Sequence, residues 1–277
     1  MDTGGDPPAE PGPAPPALEP PRASPPVLLD ARSALWLLVV YLGTQMVVAF
    51  GIASVYAAVH LATEDGSDPA SLERVVAQAQ GPIGVVAALG AGVAVLAALL
   101  RRAGRPEGGA IRRQVGLALG SRRALVLGLL AGGALALVYF PLATGLLFPP
   151  EPDRTPGPVT RMALSPGWQR WLWSSMALLV APPVEELLFR GALQAGFARS
   201  WGWGPAALFT TVLFVALHYP EFRTYLPAAG ALVGISVLTL WLRRRSGALG
   251  PAVAAHAGYN LGVFCLVNLG LLLQGRG

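Results

Sequence analysis

The chain alternates between long apolar stretches and short polar ones, and the apolar stretches set the fold. Seven runs stand out, at 35–61, 82–100, 124–148, 168–200, 205–218, 225–242 and 248–273. A helix crossing a hydrocarbon layer about 30 Å thick needs roughly 20 mostly apolar residues, at about 1.5 Å of rise each. The pattern therefore predicts an all-α, polytopic transmembrane bundle. It has seven spanning helices, or eight if the fourth run breaks in two at Pro182-Pro183.

The polar punctuation supports these limits. Trp36, Trp168, Trp171, Trp173, Trp201, Trp203 and Trp241 all fall near proposed ends, as in the aromatic belts of membrane interfaces. The many Gly and Ala residues inside the runs allow close helix contact without a hydrophobic driving force. Residues 1–30 hold ten prolines and cannot build a core, so they are expected to form a disordered tail. The tail lacks the basic start and apolar centre of a signal peptide.

Composition changes the picture little. Only 13% of residues are charged, against about 25% in soluble domains. All 20 basic residues other than histidine are Arg, and the formal charge is +5. The surplus lies in loops, which fits membrane orientation better than nucleic-acid binding. The absence of Lys reads as a coding bias and points to a bacterial plasma membrane. Loop 101–123 carries seven Arg and Arg243-Arg244-Arg245 follows the sixth run, whereas loop 62–81 is acidic. The basic loops and the N-terminus are then expected in the cytoplasm. Cys265 is the only cysteine; it excludes an internal disulfide and is expected to be a buried small hydrophobe.

The candidate chemistry lies where charge should be absent. Thirteen of the fifteen acidic residues fall in the tail, loops or segment edges; the exceptions, Glu185 and Glu186, are adjacent. Charge inside a bilayer costs roughly 2.5–3.5 kcal/mol on insertion scales, so such residues are functional suspects. Glu186 and Arg190 are spaced to pair on one helix face. Glu185 points about 100° away and is left free to take a proton. A turn at Trp201-Gly-Trp-Gly204 would fold residues 168–218 into a hairpin. Glu185 lies 17 residues before Gly202 and His218 lies 16 after it, so both reach about 25 Å from the turn and face one another. His256 and Asn260 share a helix face, and together they suit either an oxyanion or a helix–helix polar clamp. His60, at the end of the first run, is expected to be an interfacial side chain.

Three segments carry a resemblance: Glu185-Glu186-Leu-Leu-Phe-Arg190, Phe214-Val-Ala-Leu-His218 and His256-Ala-Gly-Tyr-Asn260. Taken in order, they resemble the CAAX-protease and bacteriocin-processing family of intramembrane proteases, also called type II CAAX prenyl endopeptidases. The resemblance covers about 168–270. It implies a catalytic core at 161–277 behind a variable transmembrane region at 31–160, and hydrolysis of a peptide bond in a membrane-associated substrate, lipidated in the CAAX case. Glu185 and His218 would activate water, His256 and Asn260 would stabilise the oxyanion, and Glu186 with Arg190 would organise the site. Members are often labelled metalloproteases. Glu185, His218 and His256 offer a three-ligand zinc site, but the same residues serve a metal-free glutamate mechanism, and there is no His-Glu-x-x-His signature. The competing readings are a non-catalytic immunity or regulatory protein on the same fold and a proton-coupled transporter.

Overall fold

The computed structural model describes residues 29–63, 69–103, 108–149, 157–165 and 167–273. The Pro-rich tail lies outside the described residues up to position 28. Every described element is a helix. Five are long and apolar enough to cross a membrane: α1 (Ala31–Thr63), the Gly81–Arg102 part of α2 (Pro69–Ala103), α4 (Arg122–Leu147), α6 (Trp168–Trp201) and α10 (Gly250–Leu273). Between them lie α3 (Gly108–Val115), α5 (Pro158–Leu164), α7 (Trp203–Leu217), α8 (Tyr219–Phe222) and α9 (Pro227–Ser246). All seven apolar runs are helical. The two below the full criterion are α7, only 15 residues long, and α9, which ends on Arg243, Arg244 and Arg245.

Pro182 and Pro183 do not break the fourth run. The chain continues through them as one 34-residue helix, because two stretches of wider π winding, Met176–Val180 and Leu187–Leu193, flank the prolines. A proline lacks an N–H and clashes with the preceding turn; local widening accommodates both defects.

Glycines set the closest helix contact. Along α4 and α10, a Cβ at Gly132 would collide with the carbonyl oxygen of Ala255, and one at Gly258 with that of Leu129. The two helices therefore run backbone against backbone, which is how apolar helices gain dispersion energy in lipid. At one end, Leu249 and Gly250 donate backbone hydrogen bonds to Gly116 and Ala118, and Arg243 Nη2 donates to the Gln114 carbonyl at 2.9 Å. Leu29, expected to belong to the tail, is buried there. Its N–H and C=O both pair with the Gln114 amide at 2.8 Å. Asp30 caps α1 by accepting the Ser33 N–H at 2.9 Å.

Two expectations are corrected. Cys265 is exposed, because the outer face of a membrane helix meets lipid, and an apolar run is no guarantee of burial. His60, expected to project outward from the helix end, is buried against protein.

Candidate active site

The hairpin of α6 and α7 is the frame of the site. Gly202, at φ +84°, makes the turn, a conformation that favours glycine. Cross-contacts then climb the hairpin in register. Phe209 meets Phe197 and Trp201 edge-on, Thr210 Oγ1 donates to Gln194 Oε1 at 2.9 Å, and Phe214 meets Phe189 edge-on at 5.2 Å. The next rung is Glu185 opposite His218. Glu185 Oε2 lies 3.8 Å from His218 Nε2.

The third wall is α10, whose His256 and Asn260 reach α6. His256 Nε2 lies 3.9 Å from the same Glu185 oxygen, and its Nδ1 lies 2.9 Å from Glu186 Oε1. Glu186 is fully buried and Arg190 nearly so. Their approach, 3.2 Å from Arg190 Nε to Glu186 Oε2, is an ion pair without the alignment of a hydrogen bond. The guanidinium also lies over the Phe214 ring, 4.5 Å from its centroid. A buried arginine with unfilled donors gains from that aromatic face. The structure thus brings Glu185, Glu186, Arg190, His218 and His256 into one cluster.

The hydrogen bonds fix how the two imidazoles present themselves. His218 Nδ1 lies 2.7 Å from the Phe214 carbonyl oxygen, which only accepts, so Nδ1 carries the hydrogen. Glu186 sets the same orientation on His256. Both rings therefore turn Nε2 toward Glu185. Glu185 Oε2 is buried and accepts no hydrogen bond among the described residues.

Asn260 is placed differently from its neighbour. Its Nδ2 donates to the Ala177 carbonyl at 2.7 Å, and α6 itself explains why. In the wide turn the Ala181 N–H bonds back to Met176; the same count gives Ala177 the residue Pro182, which has no N–H. A buried carbonyl without a donor is costly, and Asn260 supplies one from another helix. Of the two roles the sequence offered Asn260, the structure shows the clamp, and one Nδ2 hydrogen is left over. The proline signal was present in the sequence. The Glu186–His256 contact had no local signal, since it joins residues 70 apart.

Among the described residues, no group of three or more His, Cys, Asp or Glu side chains is placed to hold a metal ion.

A family model described as Type II CAAX prenyl endopeptidase Rce1-like matches residues 166–262. No curated protein and no solved structure matches the chain.

Proposed function

Taking as premise that residues 166–262 form a domain of the Rce1-like type II CAAX prenyl endopeptidase family, we propose that this protein is an intramembrane endopeptidase. Its substrate is a peptide bond in a protein or peptide held at the bilayer by a lipid anchor or an apolar segment. One observation carries the reading: the Glu185 carboxylate, among apolar helices, faces the Nε2 atoms of both His218 and His256.

Glu185 Oε2 and His218 Nε2 are both acceptors, close enough for one water to donate a hydrogen to each. When that water attacks the scissile carbonyl carbon, Glu185 takes its proton and a tetrahedral oxyanion forms. His256 is the donor aimed at it. As an imidazolium it donates from Nδ1 to Glu186 and from Nε2 into the site, and the buried cluster is then neutral: two carboxylates, one guanidinium, one imidazolium. Charge balance of this kind is what a dry interior requires. The second Nδ2 hydrogen of Asn260 serves the same oxyanion. The C–N bond then breaks, and Glu185 returns its proton to the departing amine.

The basic loops identify the cytoplasmic end. A Cβ at Gly92 of α2 would touch Val184, so Gly92 marks the depth of the site. Arg101 follows nine residues later, about 14 Å along the helix. That distance supports a site below the membrane surface.

The direct test uses the full-length protein in lipid nanodiscs, a quenched peptide library carrying apolar or prenyl anchors, and ¹⁸O-labelled water. Hydrolysis places one ¹⁸O in each new carboxyl terminus, and Glu185→Gln abolishes it. Cleavage that persists in Glu185→Gln removes the reading.

A further inference from the structure

The helix α1, far outside the matched residues 166–262, packs along α6, the helix that carries Glu185. The start of α1 is clamped to α6. Ala31 N–H donates to Ser200 Oγ at 3.1 Å, and a Cβ at Gly196 would strike Asp30 and Ala34. The two helices run antiparallel from that clamp. Eleven residues along α1 from Asp30 is Tyr41; eleven residues back along α6 from Gly196 is Glu185. Both lie about 16 Å from the clamp. The neighbouring helix gives the same level independently. On α2, a Cβ at Gly90 would touch Val48 and Thr44 of α1, and one at Gly92 would touch Val184, next to Glu185.

Tyr41 is only 8% exposed. It pairs with the side chain of Gln45 one turn on, and it lies within electrostatic range of Glu185. The Glu185 carboxylate, for its part, keeps a buried oxygen with no hydrogen bond among the described residues. A buried phenol with its own amide partner and a half-buried carboxylate whose buried Oε2 has no hydrogen bond among the described residues thus share one level of the bundle.

We propose that Tyr41 is a positioning residue for Glu185: with the Gln45 amide donating to the phenol oxygen, the Tyr41 O–H is directed at the Glu185 carboxylate and fixes its orientation toward the water. The inference rests on the reading of Glu185 as the base. It assigns to the N-terminal region a part in the chemistry that the three motifs do not contain. A tyrosine kept only for packing would need its ring; this role needs its hydroxyl.

Tyr41→Phe separates the two, since it keeps the ring and removes one oxygen. The measurement is infrared difference spectroscopy of full-length protein in nanodiscs, with the Glu185 carboxyl band assigned by its loss in Glu185→Gln. In Tyr41→Phe that band moves to the frequency of a carboxyl with one fewer hydrogen bond, and Gln45→Leu moves it in the same direction. The unfolding temperature falls by no more than a few degrees, as loss of one hydrogen bond allows. Against a cleavable peptide, kcat falls roughly tenfold, the loss expected for one hydrogen bond to a charged group, with KM unchanged. An unmoved Glu185 band in Tyr41→Phe overturns the proposal. The spectrum needs no substrate, so that failure is distinct from failure of the protease reading, which would show as full cleavage by Glu185→Gln.

Discussion

Glu185 and Glu186 are neighbours in sequence and opposites in environment, and substitution separates them. Glu186 is sealed between Arg190 and His256. Glu186→Gln leaves the Arg190 charge buried without a counter-ion, and breaking such a pair costs about 3–5 kcal/mol. The variant should unfold at markedly lower temperature and lose activity as well. Glu185 lies farther from its charged neighbours, 3.8 Å and 3.9 Å from the two imidazoles, so Glu185→Gln should abolish cleavage with a smaller fall in unfolding temperature than Glu186→Gln. Thermal unfolding in nanodiscs, read beside cleavage, checks both. At this scale the sequence was informative because helical spacing is local. The Glu186–Arg190 pairing follows from four-residue separation, and the depth of His218 follows from counting to a Gly turn. The contact of His256 with Glu186 was not legible, because it depends on how far α10 slides along α6.

Along α6, the prolines and the asparagine clamp form one unit. Asn260→Leu strands the Ala177 carbonyl, at a cost of about 1–3 kcal/mol. Pro182→Ala restores an N–H to the helix, so the same Asn260 change should cost less in that background. A double-mutant cycle should show coupling of about 0.5 kcal/mol or more; strict additivity would refute the link. The α4–α10 contact makes a second prediction. Gly132→Val should prevent stable folding, since its Cβ meets backbone at Ala255, while Gly43→Ala and Gly51→Ala, which meet nothing within 4 Å, should leave the unfolding temperature unchanged or raise it. At the start of α1, the Ser33 backbone N–H holds the Asp30 carboxyl below its ordinary range. That stabilisation is complete above the ordinary carboxylate pKa and is lost as pH falls through the lower folded value. Asp30→Ala should therefore destabilise at neutral pH and be silent in strong acid. The helices themselves were legible as apolar runs. The continuity of α6 through Pro182-Pro183 was not, because proline reads as a breaker unless the surrounding turns widen.

In the whole molecule, the polar cluster sits on helices long and apolar enough to cross a membrane, and the charged ends make the orientation testable. The arginines of α2, α3 and α9 gather at the end where α1 begins and α10 begins, so a reporter at the N-terminus is expected in the cytoplasm and one at the C-terminus outside. Equal accessibility of both would contradict that orientation. Lipid also explains the one misplaced cysteine: apolarity in this chain marks contact with either protein or bilayer, and sequence does not distinguish the two faces of a spanning helix. The match over 166–262 and the cluster on α6, α7 and α10 coincide, yet the match gives the chemistry only at family level. The central claim, hydrolysis of a membrane-associated peptide by Glu185, is tested most directly in native membranes. New peptide termini are compared between cells carrying wild type and Glu185→Gln at equal expression. The account predicts a reproducible set of termini that disappears in the variant; identical termini, under conditions where the protein is needed, would contradict it.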